Sequence, residues 1–261
     1  MSLLVRSWNL FHGNASPPGR RAHLEEMVRL ATDDRPDVVC LQELPVWALR
    51  RLGDWSGMRS FGAVAARPRL RSAELGRTVT QRHHGLFRSA VTGQANAILL
   101  TPELRPLAAG SIVLNPRAVR RRVGRELTLD RRTRLGWARE RRVCQAVRTE
   151  ALTVANLHVS SVRDARIRDA ELLRAATFAD GFAEPGEVLV LAGDFNVRPW
   201  ESNTLRQLSE PEWGFSSSIP GIDQILVRGA DAGDPETWAE ERRRVDGRVL
   251  SDHAPLEVTI G

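Results

Sequence analysis

The chain has 261 residues, of which 42% are hydrophobic, enough for a substantial core and too apolar for a disordered chain. No apolar run approaches the ~20 residues of a membrane-spanning helix, and the N-terminal MSLLVRSWNL lacks the layout of a signal peptide, so a soluble, cytoplasmic protein is expected. The net charge is +6, and with no lysine in the chain all 38 basic residues are arginine, so it is their distribution rather than their number that is informative.

In chain order, LLVRSWN (3–9) reads as a strand and FHGNASPPG as a loop. Leu24, Met27, Val28 and Ala31 follow the spacing of an amphipathic helix. PDVVCLQE is a compact apolar strand ending in Gln42 and Glu43, residues 45–53 suit a short helix, and weak strands fall near 61–66 and 77–80. NAILL (96–100) and AAGSIVL (108–114) read as strands. Between Arg117 and Arg142 eleven arginines face three acidic residues, a local charge of +8 that leaves −2 for the remainder. Such a block suits a polyanionic partner, the alternative being a solvated, flexible hairpin that touches nothing. VCQAVRT and LTVANLHV (143–149 and 152–159) form a hairpin. Ser161 with Asp164 resembles a capping box opening a helix that runs to about Phe182. Then come the strand EVLVLAGD, a short helix from Ser202, the strand IDQILV, a polar stretch over 229–248 and a last strand, PLEVTI. Cys40 and Cys144 sit inside apolar runs and read as buried free thiols. With no repeat and no linker, one α/β domain over 1–261 is expected.

Polar residues recur where these strands end. Asn9 closes the first, Glu43 the second, and His158 stands near the end of a later one. Asp194 and Asn196 follow another, Asp223 opens IDQILV, and Asp252 with His253 precede the last. Left without partners, such groups cost about 1–3 kcal/mol each when buried; gathered at one rim they satisfy one another and bind a ligand. Hard oxygen donors such as Glu43 and Asn9 suit Mg²⁺. The chain has no HExxH or paired-cysteine spacing for zinc, no P-loop and no GxSxG elbow. Carboxylates beside histidines suit metal-assisted hydrolysis of a phosphoester.

The segments SWNLFHG, PDVVCLQE, NLHVSS, GDFNVRP, GIDQIL and SDHAPL come in the order and spacing of the endonuclease/exonuclease/phosphatase superfamily, which the chain resembles from Ser7 to Leu256. The resemblance implies the DNase I-like fold, a four-layer α/β/β/α sandwich of two packed mixed β-sheets with the site at one edge. It implies Glu43 as the main Mg²⁺ ligand (Mn²⁺ a substitute), with Asn9 beside it and Asp252 either at the metal or orienting His253. Asp194 corresponds to the water-activating carboxylate, and Asn196 to the amide that holds phosphate or nucleophile. His253 corresponds to the histidine on the scissile phosphate, His158 to a proton-donating or phosphate-stabilising histidine, and Asp223 to the carboxylate supporting it.

The chain also departs from branches of that superfamily. Abasic-site endonucleases have a tyrosine where His158 stands, and this chain contains no tyrosine. The glutamate that pairs with the histidine in DNase I-like nucleases has its nearest counterpart in Glu74. Gln224 replaces an arginine of the inositol-phosphatase branch, although Arg198 fits that branch. The reading favoured is a Mg²⁺-dependent nuclease, with Arg120, Arg121, Arg122 and Arg198 binding a nucleic-acid backbone and no obligate protein partner. A phospholipid or small-phosphoester hydrolase on the same scaffold and a non-catalytic anion-binding module are the alternatives. Trp8 is expected in the core, His12, His83 and His84 in loops, and EERRR (240–244) on a solvated helix face.

Overall fold

The apolar run Leu3–Asn9 becomes β1, a strand buried along nearly its whole length because it lies inside a six-stranded sheet. The computed structural model describes residues 2–19, 21–68, 78 and 91–261. Of the expected strand at 77–80 only Thr78 is described, and it is not in a strand; Glu74, His83 and His84 lie outside the described residues. The chain divides into two units, Met1–Arg105 with Gly233–Gly261, and Pro106–Ala232.

In the first unit the sheet runs β11 (Glu236–Thr237), β14 (Leu256–Ile260), β1, β3 (Val38–Leu44), β5 (Gln94–Leu100), β4 (Arg59–Ala66). It is mixed, since β1 is parallel to β3 and antiparallel to β14. The helix α1 (Leu24–Leu30) and the short α2 (Leu52–Ser56) pack Leu24, Met27, Val28 and Leu52 onto Trp8, Leu41 and Leu99. Arg6 is fully buried in β1 yet satisfied: it donates to both carboxylate oxygens of Asp34 at 2.7 Å, to the Ala31 carbonyl, and to Glu257. A small sheet of β12 (Arg244–Val245), β13 (Arg248–Leu250) and β2 (Ala15–Ser16) completes this unit's described strands.

The second unit holds a five-stranded mixed sheet, β10 (Asp223–Arg228), β9 (Leu189–Asp194), β8 (Thr153–His158), β7 (Val143–Thr149), β6 (Pro106–Val113). The expected hairpin is β7–β8, antiparallel. β8 and β9 are parallel, which requires a crossover; the helix Ala165–Asp180 supplies it and buries Leu172, Ala175 and Ala176 against Leu157, Leu189 and Leu191. Its N-cap is Asp164, whose side chain accepts from Arg166 N, whereas Ser161 binds Glu140 through both its N–H and its hydroxyl. The expected Ser161 capping box is therefore corrected: a tertiary carboxylate claims the serine that the local pattern assigned to the helix end.

The arginine block is folded into two helices, α3 (Arg117–Glu126) and α4 (Arg131–Arg139). In chain order the crossover helix is α5 (Ala165–Asp180), and α6 (Asn203–Leu208) follows it. Trp137 of α4, with no exposed surface, packs with Val123, Leu129 and Ile167. Arg134 donates to the Gly124 carbonyl at 2.6 Å, tying the helices together. Arg117, Arg121, Arg122, Arg125, Arg131, Arg132 and Arg139 face solvent. The block is thus an ordered platform rather than a free hairpin.

EERRR is solvated as expected at Glu240, Glu241, Arg242 and Arg244, but not at Arg243. Glu241–Arg243 is a 3-10 turn in which Arg243 is 7% exposed, its guanidinium donating to the carbonyls of Leu250, Ser251 and His253.

Candidate active site

In the second unit the strand register does the assembly. His158 ends β8 opposite Asp194, which ends β9, and Asp194 pairs in turn with Asp223 at the start of β10. Neighbouring strands lie about 4.8 Å apart, so these side chains form one rung across three strand ends. His158 Nε2 stands 3.4 Å from Asp194 Oδ2, and both side chains are 2% exposed. The rung depends on Gly193: at φ 142° a Cβ there would come within 1.9 Å of the Leu157 carbonyl oxygen, so only glycine lets β9 approach β8 this closely.

Beyond the rung the chain turns sharply. Asn196 adopts φ 51°, its N–H donates to Asp194 Oδ1 at 2.9 Å, and its side-chain amide donates to the Val159 carbonyl at 2.9 Å. Arg168 from α5 donates to the Asn196 carbonyl. The amide oxygen and second amide hydrogen of Asn196 are thereby presented in a fixed orientation next to Asp194. Gln224, the departure from the inositol-phosphatase pattern, is buried and closes the 219–224 turn that leads into Asp223, exchanging hydrogen bonds with Ile219 and donating to the Gly221 carbonyl.

In the first unit a bulge sets the direction of Glu43. The β3–β5 register shifts between Leu41 and Leu44, and Glu43 takes φ 54°; bulges of this kind re-aim a side chain. Glu43 Oε2 lies 3.8 Å from Nε2 of His12, whose side chain is only 5% exposed. His12 lies in the 3-10 turn Phe11–Gly13, as expected outside the regular elements, and its buried ring stands beside Glu43, which its place in the sequence does not reveal. Asn9 pairs in register with Gln42, next to Glu43, and its Oδ1 accepts from Phe11 N at 3.0 Å.

His253 is held by its backbone. Its N–H donates to Ser251 Oγ, which donates to the Asn9 carbonyl at 2.7 Å, so the loop before β14 is fastened to the end of β1. Its carbonyl accepts from Trp8 Nε1 at 2.9 Å and from Arg243 at 3.1 Å. Trp8 is in the core as expected, 1% exposed, and also fixes this loop. Asp252 is exposed. Burial pushes the Arg243 pKa down, opposed by Glu240 and Asp252. Of the eight non-glycine residues with positive φ among the described residues, Phe11, His12, Glu43, Asn196 and Ser251 belong to these two clusters, the kind of backbone strain that collects at functional sites.

Glu171 of α5 escaped notice in the sequence, where it sits among the polar residues of an amphipathic pattern. It has no exposed surface, accepts from Ser160 N at 2.7 Å and Ser160 Oγ at 2.8 Å, and accepts from Trp137 Nε1. It binds the segment just past His158 to both α5 and the arginine-bearing α4. Burial raises its pKa, against the three hydrogen bonds that favour the carboxylate. Among the arginines predicted to bind substrate, Arg121, Arg122 and Arg198 are exposed, while Arg120 donates to the Asn115 carbonyl at 2.6 Å and is partly buried.

The sequence profile of the endonuclease/exonuclease/phosphatase family matches residues 7–253. No curated protein matches the chain. Among solved structures, an endonuclease/exonuclease/phosphatase from Bacteroides vulgatus aligns over 100% of this chain and 99% of its own at TM-score 0.66 and 15% identity. One from Beutenbergia cavernae aligns over 99% of this chain and 71% of its own at TM-score 0.66 and 14% identity. Truncated TDP2 from Caenorhabditis elegans aligns over 100% and 97% at TM-score 0.62 and 15% identity. These likenesses show the shared DNase I-like fold, and with the profile match over nearly the whole chain they show that it belongs to the endonuclease/exonuclease/phosphatase family.

Proposed function

We propose that the chain is a divalent-metal-dependent phosphodiesterase that cleaves nucleic acid. Hydrolysis of phosphoester bonds is the chemistry of its family. The observation that carries the reading is the in-register rung of His158, Asp194 and Asp223, with Asn196 turned back onto Asp194. Two carboxylates beside a histidine at strand ends fit activation of a water next to a phosphate.

The donor set suits a hard cation. Glu43 offers a carboxylate that is 19% exposed, re-aimed by its bulge, and Asn9 an amide oxygen, with Asp252 a further oxygen donor. Mg²⁺, or Mn²⁺ in its place, takes such ligands, and when bound it offsets charge on the phosphate oxygens. The remaining work falls to the chain. Asp194 takes the proton of the attacking water. Asn196 holds that water or a phosphate oxygen through its oriented amide. His158, whose neighbouring carboxylate is Asp194 rather than the expected Asp223, donates a proton or a hydrogen bond to the developing charge, and Asp223, paired with Asp194 on the strand away from His158, supports that carboxylate. His253, on its pinned loop, contacts the scissile phosphate, and Asp252 orients its ring.

The ordered α3–α4 platform, with Arg121, Arg122 and Arg125 exposed, favours a polyanionic backbone over a small phosphoester. The test is a panel of plasmid DNA, RNA, phospholipid and inositol phosphates with Mg²⁺, Mn²⁺ or EDTA. EDTA-sensitive cleavage of DNA or RNA is expected, and Asp194→Ala is expected to lose at least ~10²-fold of it. Cleavage that survives EDTA or Asp194→Ala refutes the mechanism; binding without hydrolysis of any member favours an anion-binding module.

A further inference from the structure

Trp200 lies four residues beyond Asn196 and is 69% exposed, more than any other large hydrophobic among the described residues. The other tryptophans are buried or packed into hydrophobic clusters. Its exposure does not come from a loose loop. Phe195 and Val197, both without exposed surface, anchor the segment in the core and throw Arg198 and Trp200 outward. Arg168 grips both ends of the turn: it donates to the Asn196 carbonyl and approaches Glu201 at 3.8 Å. Glu201 in turn accepts from Arg198 N, and Ser202 bonds Asp169 of α5. The indole is held out on a braced turn, with the Arg198 guanidinium 5.6 Å from the ring centroid.

We propose that Trp200, with Arg198 beside it, is a stacking subsite for a nucleobase of the substrate strand that flanks the phosphate addressed by Asp194 and Asn196. This rests on the nucleic-acid reading above. An exposed indole offers a flat apolar face of the kind on which bases stack regardless of sequence, and the adjoining guanidinium suits the phosphate next to that base. The braced turn means that little ordering is needed on binding. A membrane contact fits less well, because Arg198, Glu201 and Asn203, close to Trp200 in the chain, are exposed and polar.

The experiment measures equilibrium binding, in EDTA to prevent turnover, of a short single-stranded phosphorothioate oligonucleotide and of the same backbone carrying abasic residues. Trp200→Ala is expected to weaken the base-bearing strand by at least ~5-fold and the abasic strand by much less, with Trp200→Phe intermediate; circular dichroism checks the fold. Equal loss on both strands, or no loss, overturns the proposal while leaving the nucleic-acid reading standing. Loss confined to vesicles of phosphatidylserine and phosphatidylcholine identifies a membrane anchor instead and overturns it as well. If the wild-type chain binds neither strand yet hydrolyses a small diester, the nucleic-acid reading itself fails and this subsite with it.

Discussion

Replacing Glu171 by leucine removes a carboxylate that has no exposed surface and receives three donors. The Ser160 hydroxyl can rotate to another acceptor. The Ser160 N–H and Trp137 Nε1 cannot, since one belongs to the backbone and the other to a fully buried ring. Each stranded donor costs about 1–3 kcal/mol. Part of that is offset because the leucine no longer carries the desolvation that raises the Glu171 pKa. The net loss expected is ~2–4 kcal/mol against a typical total of ~5–15 kcal/mol, so the variant stays folded and the loss is measurable. Urea unfolding at fixed pH should show a lower midpoint with an unchanged slope. Because Ser160 is two residues past His158, diester hydrolysis should fall more than stability alone explains. A Glu171→Leu chain within ~1 kcal/mol of wild type would refute the reasoning that this carboxylate clamps β8 to α4 and α5.

Arg243→Met keeps a long apolar stem but strips the shared donor from the carbonyls of Leu250, Ser251 and His253; hydrolysis should drop at least ~10-fold as His253 shifts, read from kcat/KM on an aryl phosphodiester. Reversing Arg121, Arg122 and Arg125 to Glu should weaken DNA binding and flatten its salt dependence, and an unchanged slope in a salt titration would point to a small substrate. Adding Arg120 to that set should also lower stability, because it bonds the Asn115 carbonyl. Hydrogen bonding to Arg6 holds the Asp34 carboxyl below its usual 3.8, so its contribution to stability is complete above that pH and is lost as pH falls through the depressed folded value. Asp34→Asn should therefore be less stable at neutral pH and lose less on acidification below 3.8; parallel pH curves for the two chains would contradict this.

Much of the candidate site was legible in the chain because its signals are local. An apolar run that stops at Asn9, Glu43, His158 or Asp194 marks a strand end carrying a polar group, and six such segments in order specify the family. Strand existence followed from the same runs: β3, β5, β7, β8 and β9 all fall where strands are expected from their largely apolar content, since strands buried on both faces need little else. The arginine block was legible as charge but not as structure. Its helices are held by Trp137 and Ile167, partners 30 residues apart that no local pattern links.

What the amino-acid sequence determined by itself is the long strands and the crossover helix, their order and the chemistry of the groups at their ends, but not the two helices of the arginine block or the small three-stranded sheet. Tertiary structure alone decided which polar side chains are buried and where they point. Arg6 is buried by partners 28 and 251 positions away. The bulge that re-aims Glu43, the register that aligns His158, Asp194 and Asp223, and the outward throw of Trp200 follow from pairings between segments distant in the chain. The physical reason is that burial, register and the satisfaction of a buried charge are properties of two or more segments at once, whereas apolar periodicity and turn chemistry are properties of one.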